Sequence, residues 1–134
     1  MENSILAIKS AFALLGGLLG TLFGGLDGFL ITLLVFMLLD YISGVLLAIV
    51  QKKLSSKIGF KGILKKVMIL ILVAVGTLLD NFILIDGAFI RTLVIFFYIA
   101  NEGISLLENA ALLGLPIPEK LKEVLEQLKE SESK

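Results

Sequence analysis

The sequence predicts an all-α integral membrane protein with about four transmembrane helices and a C-terminal amphipathic helix. Three observations carry that expectation. The 134 residues are 57% hydrophobic and 18% charged, with a mean hydropathy of +1.02. Soluble domains hold about 25% charged residues, and about 45–50% apolar residues even with glycine counted in. Four apolar stretches approach the ~20 residues that a helix needs to cross a ~30 Å hydrocarbon layer. The lysines, finally, gather in particular connections instead of spreading evenly. A chain this short exposes too much surface to hide such an apolar excess in a water-soluble core. The same excess excludes intrinsic disorder.

The first span is expected over Ser10–Leu26, which is uncharged but short. A signal peptide is its rival, yet the n-region holds only Glu2 and Lys9, and no pair of small residues is spaced for cleavage, so the segment is expected to stay. Phe29–Val50 is interrupted only by Asp40. Ile63–Ile85 works as a span if Lys65 and Lys66 at its start snorkel to the interface. Phe89–Leu113 carries Asn101, Glu102, Glu108 and Asn109 in an otherwise apolar run. Asp80 ends the third run and Arg91 opens the fourth, so the Asp80–Asp86–Arg91 connection could hold a solvated rim ion pair, worth under about 1 kcal/mol. Pro116 and Pro118 close the fourth span. Beyond them EKLKEVLEQLKE puts Leu121, Val124, Leu125 and Leu128 on one face. That pattern suits an interfacial or oligomer-packing helix, or a solvated tail. The expected division is a transmembrane domain over residues 1–113 and a cytoplasmic tail helix over residues 114–134.

Orientation follows from the lysines. Gln51–Lys66 contains Lys52, Lys53, Lys57, Lys61, Lys65 and Lys66 and no acid. The positive-inside rule makes this basic loop cytoplasmic. Four spans then put both termini inside, with Lys9, Lys120, Lys122, Lys129 and Lys134, and leave Arg91 alone of the twelve basic residues outside.

The counts also exclude functions. Without cysteine there is no disulfide, thiol nucleophile or zinc ribbon, and without histidine the commonest general base and metal ligand are gone. Zero net charge gives no basic footprint for nucleic acid. No phosphate-cradling loop and no carboxylate cluster with metal-ligand spacing is present. Neither an enzyme, nor a cofactor, nor a metal site is expected.

The polar and small residues inside the spans are the candidates for function. Gly16, Gly20 and Gly24 recur every four residues, beside a second small row at Ala13, Gly17, Thr21 and Gly25. Such a face lets membrane helices approach closely, either between copies or within one chain. Asp40 and Glu102 fall near mid-membrane, where an acid costs about 2.5–3.5 kcal/mol on insertion scales. With no lysine or arginine expected at that depth, they must be protonated, hydrogen-bonded or bathed by water in a pore. Ser43, Gly44 and Ala48 extend the small face beside Asp40. Tyr98, Ser105 and Asn109 form a polar stripe with Glu102.

The segment LLDYISGVLLA, the lysine-rich stretch with Ser55, Ser56, Gly59, Gly62, Lys65 and Lys66, and IANEGISLLENAALLGLPIPEKLKE resemble the toxin-secretion/phage-lysis holin family. The resemblance runs from about Leu30 to Lys129. It rests most on Asp40, Tyr41, Ser43 and Gly44 and on the turn Leu115–Pro116–Ile117–Pro118. It implies a homo-oligomer in the bacterial (host) cytoplasmic membrane that opens lesions, letting an endolysin or a toxin leave the cell. A small four-helix proton-coupled exporter is the alternative. Such transporters carry an essential acid in the first helix, and the first span here has none.

Overall fold

The computed structural model describes residues 1–85 and 87–133, with side chains as far as Glu130. Asp86 and Lys134, placed by the sequence reading in the outer connection and the cytoplasmic tail, lie outside the described residues. Among the described residues five helices follow one another: α1 (Glu2–Phe23), α2 (Gly28–Val50), α3 (Ser56–Leu78, continued by a π-helical stretch at Leu79–Leu84), α4 (Phe89–Leu112) and α5 (Glu119–Ser133). No strand occurs among the described residues, and four helices are long and apolar enough to cross a membrane. At ~1.5 Å per residue, the 23 residues of α2 reach about 34 Å.

Helix starts are set by caps. Asp27 is extended and its side chain accepts a hydrogen bond from the Leu30 N–H at 2.9 Å, which opens α2. Ser55 does the same for α3, accepting from the Ile58 N–H. That cap starts α3 at Ser56, well before the apolar run at Ile63. The stretch expected as a basic loop therefore divides: Lys52 and Lys53 lie in the connection, while Lys57, Lys61, Lys65 and Lys66 stand on the first turns of α3. Likewise α1 begins at Glu2 rather than at Ser10.

The core is one stripe from each of three helices. Leu30, Leu33 and Met37 of α2 meet Ile69 and Val73 of α3 and Ile95 and Ile99 of α4. These are i, i+3, i+4 and i+7 spacings, the rows that share one helix face. Phe29 and Phe96 add an edge-to-face ring contact at 5.0 Å between α2 and α4. Lipid tails are as apolar as these side chains, so close packing and internal polar bonds must hold the helices together. Gly76 shows how close they come. A Cβ there would lie 3.2 Å from the Arg91 backbone, so α3 and α4 touch main chain to main chain.

Helix α1 joins the bundle through its C-terminal end, where Phe23 packs against the core, and is exposed along most of its length. It has no buried residue, and a Cβ at Gly16 or Gly20 would meet nothing within 4 Å. The glycine row is thus unused within one chain. At the other terminus α5 folds back against α4, anchored by Leu125, the one residue of its apolar face that becomes buried.

Candidate functional site

Each core stripe runs on into charge. Asp40 follows Leu33 and Met37 on α2, Glu102 follows Ile95 and Ile99 on α4, and Lys66 precedes Ile69 and Val73 on α3. All three lie at one depth: ten residues in from the helix end at Val50, Leu112 or Ser56, or about 15 Å at the α-helical rise. There Lys66 Nζ donates to Asp40 Oδ2 at 2.9 Å and to Glu102 Oε2 at 2.8 Å. One ammonium is shared by two carboxylates on different helices. Asn109 Nδ2 completes the group, donating to Asp40 Oδ1 at 3.3 Å and to Ser43 Oγ at 2.9 Å.

This corrects the expectation that the mid-membrane acids have no basic partner. Lys66 does not snorkel out. Because α3 starts at Ser56, the side chain sits too far along the helix to count as interfacial, and it turns inward. Two acids and a lysine, each costly alone in hydrocarbon, become one hydrogen-bonded cluster.

The cluster forms the wall of a crevice of about 760 Å³ between the α2–α3 connection and the halves of α2, α3 and α4 nearest to it. Tyr98, Glu102, Ser105 and Asn109 all line it, as do Asp40 and Gly44. The small face on α2 works here: a Cβ at Gly44 would stand 3.9 Å from Asn109 Nδ2. Across the crevice Tyr41 rests on α3, its hydroxyl 3.1 Å from where a Gly59 Cβ would lie.

A second polar centre closes the opposite end of the bundle. Arg91 is only 4% exposed. Its guanidinium donates through Nη1 to Asp27 Oδ2 at 2.8 Å and through Nη2 to Asp27 Oδ1 at 3.2 Å and the Gly25 carbonyl at 3.0 Å. Its Nε donates to the Phe23 carbonyl. The arginine therefore ties α4 to the end of α1 and the start of α2. Beside it the Asp80 carboxylate, 2% exposed, accepts the Ile90 N–H at 2.9 Å and the Arg91 N–H at 2.8 Å. Those N–H groups open α4 and have no helical partner of their own. Of the rim ion pair expected in the Asp80–Asp86–Arg91 connection, Asp86 lies outside the described residues, and Asp80 and the Arg91 side chain make two separate interactions. Asp80 caps the α4 backbone, and the guanidinium pairs with Asp27. The Arg91 hydrogen bonds hold the Asp27 carboxyl below its ordinary range.

Gly24 belongs to this centre and not to the helix face with Gly16 and Gly20. It lies just beyond α1 with φ 77°, and its N–H donates to the Gly20 carbonyl, so it ends the helix in the left-handed conformation that glycine tolerates best. A Cβ there would stand 2.6 Å from Arg91 Nε.

Sequence reasoning found Asp40, Glu102, Ser43, Gly44 and Asn109, which the fold gathers, and Tyr98 and Ser105, which line the same crevice. It did not pair Lys66 with the two acids, nor Arg91 with Asp27. For Lys66 a signal existed: Lys66, Ile69, Val73 and Gly76 share one helix face, and that face is the buried one. Among the described residues no group of three His, Cys, Asp or Glu side chains is placed to hold a metal ion.

Membrane-crossing helices with charge clusters buried between them define a small multi-pass membrane protein, held together by ion pairs at mid-depth and at one end. The chain belongs to the bacteriophage holin family, whose profile matches residues 17–130. It is 49% identical over 129 residues to an uncharacterised 14.9 kDa protein in the nagH 3′ region of Clostridium perfringens, covering 96% of this chain and 97% of that one. An uncharacterised Listeria monocytogenes protein, Lmo0128, is 52% identical over 86 residues, 64% of this chain and 61% of its own. A probable holin of Bacillus phage phi105 is 36% identical over 81 residues, 60% of this chain and 59% of its own. No solved structure matches the chain.

Proposed function

We propose that this protein is a holin: it accumulates in the bacterial cytoplasmic membrane, assembles with copies of itself and opens lesions through which an endolysin or a toxin crosses. The observation that carries this reading is the family match across residues 17–130, with the phi105 probable holin among the relatives. The structure supports it in kind. The bundle of α2, α3 and α4 is internally locked, while α1 leaves most of its apolar surface exposed, with only its end near Phe23 packed on the core. Gly16 and Gly20 on α1 then serve contacts between copies. Asp40, Lys66, Glu102, Ser105 and Asn109 form the polar set that opening would bring to water. The role needs no catalysis and no cofactor.

By the positive-inside rule, the lysines of the α2–α3 connection and the first turns of α3 support an orientation with the crevice end and both termini at the cytoplasmic face and the Arg91 end outside. Residues 114–134 then belong to the cytoplasmic side while the chain is unassembled.

Induced expression in bacteria, with and without a co-expressed endolysin, tests the reading. Abrupt loss of viability at a reproducible time, with lysis only when the endolysin is present, is expected. Continued growth, or lysis that does not depend on the endolysin, would sink it.

A further inference from the structure

Helix α5 is held by Leu125, 6% exposed, which seats over Gly103. A Cβ at Gly103 would lie 2.9 Å from both Leu125 methyl carbons and 3.2 Å from the Phe36 ring. Glycine at 103 leaves room for the Leu125 methyls, which any larger residue would push aside. Gly103 adjoins Glu102 and stands nine residues in from the end of α4 at Leu112, about 13 Å along the helix. Within one turn of Leu125, the side chains of Lys122, Glu123, Glu126 and Lys129 are all exposed.

The docked helix therefore turns an apolar edge to α4 and a charged edge outward at the level of the buried ion cluster. A single copy in a bilayer meets hydrocarbon at that level, and hydrocarbon does not accept four charges. Water does. We propose that α5 docked on Gly103 is the water-facing lining of the open lesion, and that in the unassembled chain α5 lies off this seat at the membrane surface. The proposal rests on the lesion-forming reading above. It answers a physical need of that reading, because exposed side chains of α2 and α4 such as Leu34, Leu38 and Leu93 are apolar and would not wet a lumen. An amphipathic helix laid over the wall supplies the missing polar surface.

The chain has no cysteine, so a Gly103→Cys, Leu125→Cys pair can be read without background. The short contact at Gly103 brings the pair within reach of a disulfide, and the smaller cysteine at position 125 removes the crowding. The variant is purified, oxidised or left reduced, and incorporated into phosphatidylglycerol–phosphatidylethanolamine vesicles holding fluorescent dextran. The oxidised form should release dextran at a several-fold lower protein-to-lipid ratio than the reduced form, and added reductant should reverse the shift. In the single variant Leu125→Glu, which cannot seat on Gly103, the required ratio should rise. Failure of the disulfide to form, an unchanged or higher ratio for the oxidised form, or an unchanged ratio for Leu125→Glu would each overturn the proposal. Absence of release by the unaltered chain at any ratio would overturn the lesion-forming reading itself, and the α5 proposal with it.

Discussion

Replacing Lys66 by methionine removes the shared charge and keeps most of the side chain's length. The two contacts, at 2.9 and 2.8 Å with side chains 9–18% exposed, are each worth about 6 kcal/mol of attraction at an effective dielectric constant of about 20. Desolvating each ion offsets several kcal/mol of this, so the native cluster contributes far less than the raw sum. Removal of one partner is a different quantity. Desolvation of Asp40 and Glu102 remains, while their counter-charge is gone, and such losses run to about 3–5 kcal/mol. Lys66→Met should therefore destabilise the bundle by about 3–5 kcal/mol, a large share of the ~5–15 kcal/mol typical of a folded domain. Reversible unfolding in mixed micelles, titrated with a denaturing detergent, would measure it. The deciding comparison is the same substitution in an Asp40→Asn, Glu102→Gln background, where no uncompensated carboxylate is left and the cost should fall below about 2 kcal/mol. An equal cost in both backgrounds would show that Lys66 matters as packing and would refute the ion-cluster account.

The outer lock has its own pH signature. Arg91 holds the Asp27 carboxyl below its ordinary value of 3.8, so its stabilising contribution is fully present above that value and is lost as pH falls through the lower folded-state value. Limited proteolysis between α1 and α2 should stay flat through neutral and mildly acidic pH and rise only below about pH 4. Asp27→Asn should be cleaved faster at neutral pH and lose that acid-dependent step. Gly76→Ala should cost about 1–3 kcal/mol in the same micelle titration, because its methyl meets backbone of α4 that cannot yield cheaply. By contrast a Cβ at Gly20 meets nothing within 4 Å, so Gly20→Leu should shift the unfolding curve little while lysis is delayed or abolished. Normal lysis timing in that variant would remove the glycine row from assembly.

How much of this was legible in the sequence depends on whether a feature is local. The four apolar runs, the acids at mid-depth and the closing prolines are all local patterns, and they marked the helices. The start of α3 was also local: Ser55 is a good capping residue. Counting apolar residues from Ile63 hid it and moved Lys66 to the interface by mistake. Counting instead from the caps and ends gives Asp40, Lys66 and Glu102 the same depth before any contact is seen. The outer centre was not legible in that way. Asp27 and Arg91 are 64 positions apart, and nothing local to either says which acid the arginine will choose. The π-helical stretch at Leu79–Leu84, in which Asp80 turns onto the start of α4, has no signature of its own in composition.

What the two centres share is α4. Arg91, Ile95, Ile99 and Glu102 form a single stripe along its buried face, so one helix carries the arginine of the outer lock and an acid of the inner one. Successive residues on a helix are about 100° apart. A rotation of α4 by that amount would withdraw Arg91 from Asp27 and the α1 carbonyls in the same movement that takes Glu102 from Lys66. Neither lock can be released by turning α4 without straining the other. On the proposed lesion-forming reading, an opening that turns α4 breaks both locks together, as a bistable packing does, and not by gradual loosening from one end.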